Sequence, residues 1–130
     1  MAIATSTSTA TSMIDSPAIR ALGRFLDVSV VRSELITSNL ANIDTPGYHA
    51  RDINFRQELE RANGDSQLSY ADFSPVVRQV EGLASRPDGN NVSLEREGLL
   101  LAETQLRFQT GVQLLKAEFH RILSAIREGG

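Results

Sequence analysis

Two histidines, His49 and His120, are the residues of this 130-residue chain best suited to metal binding or proton transfer. His49 stands three residues before Asp52, so this pair could supply two of the four ligands that a zinc ion requires. No further ligand is grouped near the pair, and the chain contains no cysteine. His120 follows Phe119 within a helical period, as is typical of a solvent-facing helical side chain. The sequence therefore predicts no metal site and no cofactor.

Nucleophilic and phosphate chemistry also lack a suitable pattern. The serines lie in an N-terminal tract, residues 1–16, or on helix faces, with no base and orienting acid grouped around them. Gly98 and Gly111 are not followed by the Lys-Ser/Thr pair of a phosphate-binding loop. Carboxylates and arginines alternate within residues 56–61, which is typical of a solvated charged face. We therefore predict that the protein is not an enzyme and has no small-molecule substrate.

The composition of the chain excludes further classes of function. The chain has 13 basic and 16 acidic side chains, a net charge of −3, which argues against the basic patch that nucleic-acid binding needs. No apolar run approaches the roughly 18 residues of a transmembrane helix. Residues 1–16 are half Ser and Thr and have neither a basic start nor an apolar stretch, so we expect a disordered tail rather than a Sec signal peptide. Export, if it occurs, needs another route.

Two amphipathic helices are predicted at the two ends of the chain. Ser16 and Pro17 suit a helix start, and apolar residues then recur every three or four positions over residues 17–44. Residues 92–128 show the same period over about 50 Å of helix, with Ser93 as the N-cap. A period near 3.5 is typical of helices that pack along a partner. The predicted seam residues are Leu22, Leu26, Ile36, Leu40, Leu101, Phe108, Val112, Leu115, Phe119, Ile122 and Ile126.

The middle of the chain, residues 45–91, reads as irregular and rich in turns. Thr45-Pro46-Gly47 fits a type II turn, because Pro fixes one backbone angle and Gly tolerates a positive φ. We expect a helical turn over residues 55–59, strand character over residues 73–80 around Val76-Val77, and a second turn over residues 87–91. The predicted fold is mainly α, with long N- and C-terminal helices packed as a coiled-coil-like pair and short extended segments between them.

The helical period leaves two arrangements open. In the first, the chain is a self-contained hairpin whose two seams bury each other. In the second, the chain is a subunit whose terminal helices pack against neighbouring copies. Periodicity alone gives these arrangements about equal weight.

A resemblance to a known family favours the second arrangement. Residues 38–48 read SNLANIDTPGY, which resembles the motif that ends the N-terminal helix in bacterial flagellar basal-body rod and hook proteins. Residues 49–55 and 88–97 resemble the short proximal rod members in particular, and the likeness extends over residues 18–128. The positions that carry the motif are Asn39, Leu40, Ala41, Asn42, Thr45, Pro46, Gly47 and Tyr48.

The resemblance implies a structural role. A proximal rod subunit would be exported by the flagellar type III apparatus without a Sec signal and would assemble in the periplasm into the axial tube. Its partners would be copies of itself, other rod proteins, the basal-body adaptor FliE and the inner-membrane ring. The turn at Thr45-Pro46-Gly47 would end the axial helix, with Asn42 capping it and the Tyr48 ring packed on an adjacent helix. The alternative is a cytoplasmic helical adaptor or secretion chaperone that binds a partner helix.

Overall fold

The computed structural model of the protein describes residues 16–64 and 74–129. The elements in these ranges are α1 (Pro17–Ala41), β1 (Arg51–Asp52), α2 (Phe55–Gly64), β2 (Arg78–Gln79) and α3 (Leu94–Gly129). The prediction of a mainly helical fold with long terminal helices packed on each other is confirmed. The predicted disordered tail lies outside the described residues, apart from Ser16.

Helix α1 begins and ends at side-chain caps. The Ser16 hydroxyl accepts a hydrogen bond of 3.2 Å from the backbone N–H of Ile19, which satisfies one of the free donors of the first turn. At the other end α1 stops at Ala41, three residues before the boundary expected from the sequence. The reason is Asn42, whose backbone N–H and side-chain amide both donate to the carbonyl of Ser38, at 3.1 and 2.8 Å.

Helix α3 is the longest element, at about 54 Å for its 36 residues. The Ser93 hydroxyl caps its start by accepting from the Arg96 N–H at 3.2 Å. It runs antiparallel to α1, and Gly111 packs against the side chains of Phe25 and Leu26. Because α1 is only about 37 Å long, the last two turns of α3 extend past the start of α1.

A small ribbon and α2 cover one side of the helix pair. Strands β1 and β2 are antiparallel, with Arg51 opposite Gln79. The rings of Phe25 and Phe55 meet edge to face at 5.4 Å, which packs α2 on α1. The guanidinium of Arg107 lies 4.7 Å from the centre of the Phe55 ring and joins α3 to the same contact.

Two local expectations for the middle of the chain differ from the structure. Helix α2 continues to Gly64 instead of stopping after one turn. Strand pairing occurs at Arg78–Gln79, inside the expected range of residues 73–80 but after Val76-Val77. The backbone N–H of Val76 is already bound by the buried carboxylate of Glu58, at 3.0 Å, so the chain at this point follows α2 rather than β1.

Candidate assembly interface and the turns that support it

Asn39, in the last turn of α1, ties the helix to the segment that follows it. Its side chain is almost fully buried. Its amide donates to the Arg51 carbonyl at 2.8 Å, and its oxygen accepts from the Arg51 N–H at 2.9 Å. The same oxygen accepts from the Tyr48 hydroxyl at 3.1 Å. Asn39 thus pairs with β1 as a neighbouring strand would, and it fixes where the chain leaves α1.

The predicted turn at Thr45-Pro46-Gly47 has the geometry that its residues require. The Tyr48 N–H donates to the Thr45 carbonyl at 3.2 Å, and Gly47 has a φ of +74°. These are the hydrogen bond and the positive angle of a type II turn. The Thr45 hydroxyl also donates to the Asn42 side-chain oxygen at 3.0 Å, so the cap of α1 and the turn are one hydrogen-bonded unit.

A second turn docks on the first. The buried side-chain amide of Asn90 donates to the carbonyls of Asn42 and Thr45, at 2.9 and 2.8 Å. The Gly47 N–H donates to the Asp88 carbonyl at 2.9 Å. Gly89 has a φ of +86°, and a Cβ there would lie 3.4 Å from the Gly47 Cα, so the two turns touch backbone to backbone. We call Asn39, Asn42, Asn90 and Asn91 the asparagine clasp.

Sequence reasoning missed the roles of Arg86 and Asn91. The Asn91 oxygen accepts from the Ala50 N–H at 2.7 Å, and the Arg86 guanidinium donates to the carbonyls of Ile43 and Val92. Two consecutive asparagines after an Asp-Gly pair were the available clue, since asparagine satisfies free backbone groups in turns. The clasp therefore joins the end of α1 to the start of α3 through side chains that bind main chain.

Asp52 forms an ionic bridge between the two long helices. Its Oδ2 accepts from Arg32 of α1 at 3.1 Å and from Arg96 of α3 at 3.2 Å. Arg96 also pairs with Glu97 at 2.8 Å, and the Glu97 side chain is fully buried. Asp52 and His49 do not form a zinc site in this structure, because Asp52 Oδ2 faces two guanidinium groups and His49 is exposed.

The most buried line along α3 is small or polar rather than leucine-rich. The buried residues of α3 are Glu97, Thr104, Gly111 and Ile122, and the first three, spaced seven residues apart, share the side of the helix on which Gly111 packs against α1. The most buried side of α3 therefore differs from the predicted seam, although the helical spacing of the residues is the one read from the sequence. A polar inner line leaves much of the apolar surface of α3 on its flanks.

The predicted seam residues divide by exposure. Ile36 and Ile122 are buried, whereas Phe108, Phe119 and Ile126 are exposed, with Phe108 at 38%. The remaining seam residues, all half-buried, are Leu22, Leu26, Leu40, Leu101, Val112 and Leu115. The helix pair thus covers only part of the seam.

Two further apolar features lie on the surface of the helix pair. A groove of about 650 Å³ runs between α1 and α3 and is lined by Val30, Ser33, Glu34, Thr37, Gln105, Phe108 and Gln109. A leucine row, defined as Leu99, Leu106 and Leu114, projects from α3. Leu99 and Leu106 are 72% and 65% exposed.

Two acidic groups on the helices are perturbed. Burial raises the pKa of Asp27, and the nearby positive charge of Arg24 opposes this shift. On the outer turns of α3, the hydrogen bond from Arg121 to the Glu118 carboxylate, with an Nε distance of 3.2 Å, lowers the pKa of Glu118. Neither group is part of a cluster with catalytic geometry.

Within residues 16–64 and 74–129, no group of three or more metal-ligating side chains comes together. In the same part of the chain, none of the helices has the length and apolar character needed to cross a membrane.

Comparison with known proteins identifies the family. No protein-family model matches the chain. A flagellar basal body rod protein FlgB from Cereibacter sphaeroides is 39% identical over 107 residues, covering 74% of this chain and 83% of the relative. The FlgB of Salmonella typhimurium is 30% identical over 130 residues, covering 86% and 94%. That of Bacillus subtilis is 27% identical over 124 residues, covering 88% and 96%. The chain therefore belongs to the FlgB family of flagellar basal-body rod proteins.

Proposed function

We propose that this chain is a structural subunit of the proximal rod, assembled into the axial tube through its two long helices. It would leave the cytoplasm by the flagellar type III apparatus, without a Sec signal, and assemble in the periplasm. Its partners would be copies of itself, other rod proteins, the adaptor FliE and the inner-membrane ring. The rod-protein relatives and the motif over residues 38–48 support this function, which includes no catalytic role.

The exposed part of the seam on α3 is the observation that carries the proposal. Phe108, Phe119 and Ile126 lie along one flank of α3 and remain substantially exposed in the single chain. Full burial of such a side chain stabilises by about 1.5–3 kcal/mol, so covering these three gains a few kcal/mol. An apolar stripe of this length marks an interaction surface, and a contact that repeats between unlike faces builds a filament.

The asparagine clasp supports the proposed axial role of the two long helices. It closes the helix pair at one end, where α1 stops and α3 starts. The segment between the helices therefore begins and ends at that end of the helix pair. This arrangement suits a subunit whose helices line an axis while its middle segment lies to the side.

Substitution of Phe119 by Glu tests the role of the seam. Phe119 is exposed, so the variant retains its fold by circular dichroism, whereas a buried charge in an assembled seam is strongly unfavourable. We expect at least a tenfold loss of the protein from purified basal bodies, at an unchanged cellular level. Gln57→Glu, exposed on α2 and away from the seam, is the matched control and should be incorporated normally.

Normal incorporation of the Phe119→Glu variant would refute the seam proposal. Leu115→Glu provides a second variant on the same flank and should also be excluded from the rod. A chain that stays in the cytoplasm as a small, defined oligomer would instead indicate the adaptor or chaperone function.

A further inference from the structure

Asn63, near the end of α2, differs from the other asparagines of the chain in the residue that follows it. It precedes Gly64, whereas each of the others precedes a residue with a larger side chain. The backbone nitrogen of the next residue can attack an asparagine side chain, and glycine leaves this approach open because it has no Cβ. The other asparagines are Asn39, Asn42, Asn54, Asn90 and Asn91, and the residues after them are Leu40, Ile43, Phe55, Asn91 and Val92.

The Asn63 side chain also differs from the others in its contacts. It is exposed, and no hydrogen bond from the described residues holds its amide. By contrast, the Asn54 oxygen accepts from the Gln57 N–H at 3.1 Å at the start of α2. The side chains of the asparagine clasp are all bound as well. The amide of Asn63 can therefore turn toward the following nitrogen, whereas the bound amides cannot do so without losing a contact.

Asn63 and Gly64 lie where the hydrogen bonds of α2 open most easily. Helix α2 has ten residues, and Gly64 is the last of them. Within a helix, an N–H bound to the preceding turn is not available for attack, but opening at a frayed terminus costs almost nothing. A Cβ at Gly64 would meet no atom within 4 Å, so the space around this residue is open. Fraying of the last turn therefore releases the Gly64 nitrogen while the helix pair stays folded.

We infer that Asn63 is a site of spontaneous deamidation in the folded protein. The Gly64 backbone nitrogen loses its proton to hydroxide and attacks Cγ of Asn63. The new N–C bond displaces the side-chain nitrogen, which leaves as ammonia, and a cyclic imide remains. Water then opens the imide at one of its two carbonyls and gives either aspartate or isoaspartate. The reaction needs only water and hydroxide, and the inference does not depend on the proposed rod function.

The product carries its negative charge at an unfavourable place. The C-terminal end of a helix has a partial negative charge, which repels a carboxylate there. Asn63 also lines an apolar pocket of about 240 Å³ between the three helices, together with Leu22, Leu59 and Leu114. A carboxylate is costlier than a neutral amide beside such a surface. We therefore expect deamidation to loosen the end of α2 from the helix pair.

The same change from amide to acid at the two ends of α2 tests this consequence. Asn63→Asp reproduces the aspartate product, whereas Asn54→Asp places the charge at the start of α2, where the partial charge is positive. We expect Asn63→Asp to lower Tm and Asn54→Asp not to lower it. Equal falls in Tm for the two variants would contradict the expected loosening.

Peptide mapping of the purified, folded full-length chain tests the site itself. The protein is incubated at mildly alkaline pH, digested with trypsin and analysed by mass spectrometry that distinguishes isoaspartate from aspartate. Asn63 and Asn54 fall in separate tryptic peptides, residues 62–78 and 52–56, so Asn54 is an internal control. We expect deamidation at least about tenfold faster at Asn63 than at Asn54. Gly64→Ala, which the open space accepts, should slow the reaction at Asn63 about tenfold.

Each outcome decides the inference. Faster deamidation at Asn63, with isoaspartate among the products and slowing by Gly64→Ala, supports it. Equal rates at Asn63 and Asn54 overturn it, as does a reaction at Asn63 that occurs only after unfolding in urea. A rate that Gly64→Ala leaves unchanged excludes attack by the backbone nitrogen of residue 64 and overturns the inferred route.

Discussion

Gly111 is a point of close approach between α1 and α3, and adding one methyl group there probes the helix pair directly. A Cβ at this position would lie 2.9 Å from the Leu26 Cδ2 and 3.0 and 3.2 Å from two atoms of the Phe25 ring. Such distances require the neighbours to move. The Leu26 side chain can rotate, but the Phe25 ring is held by its edge contact with Phe55.

The expected change in stability is the difference of two effects. Replacing a helical glycine by alanine favours the helix by about 1 kcal/mol. Overpacking a tight contact costs about 1–3 kcal/mol. For Gly111→Ala we therefore expect a net loss of about 1 kcal/mol in the free energy of unfolding, and a fall in Tm of about 4 °C for a chain of this size.

Gly98 provides the matched control on the same helix. No atom lies within 4 Å of a Cβ at Gly98, so Gly98→Ala should gain about 0.5–1 kcal/mol from helix propensity alone. Urea unfolding followed by circular dichroism at 222 nm measures both variants. If Gly111→Ala were as stabilising as Gly98→Ala, the close packing of α1 on α3 at Gly111 would be wrong.

Three further predictions concern the turns and one half-buried acid. Gly47→Val should lower the free energy of unfolding by about 1–3 kcal/mol, because φ at Gly47 is +74°. Gly64→Val, at a residue without positive φ, should lower it less, and equal losses would contradict the turn. Asn90→Ala should cost about 1–3 kcal/mol by freeing two carbonyls, against little change for the exposed Asn63→Ala, as measured by urea unfolding. Asp27→Asn should increase the free energy of unfolding at pH 7 but not at pH 3. Because the folded state raises the pKa of Asp27, the ionised carboxylate disfavours folding at pH values above its ordinary pKa of 3.8. An equal gain at both pH values would refute this.

The two long helices could be predicted because their signals are local. Ser16 and Ser93 cap the helices as their residue types indicate, and the apolar period persists along each helix. The most buried side of α3 could not be predicted, because Glu97 and Thr104 are polar and yet buried on the side where Gly111 packs against α1. An apolar period shows that a helix has an apolar side. Which residues of the helix become most buried also depends on a small residue such as Gly111, which lets the neighbouring helix come close.

In the turns, too, features set by neighbouring residues could be predicted, whereas contacts between distant residues could not. The positive φ of Gly47 follows from the Thr-Pro-Gly sequence itself. The docking of Asn90 on the carbonyls of Asn42 and Thr45 spans more than forty residues, and nothing in a single sequence indicates that distance. The bridge from Asp52 to Arg32 and Arg96 was missed for the same reason.

The central claim is that this chain is a structural part of the rod, and its location tests that claim most directly. Basal bodies purified from cells that carry a tagged full-length chain would be separated from cytoplasm and analysed by quantitative immunoblotting. We predict that the chain co-purifies with the basal body in a fixed ratio to the other rod proteins and remains after the hook and filament are removed. Recovery of the chain only in the cytoplasm, with basal bodies that are complete without it, would contradict the account.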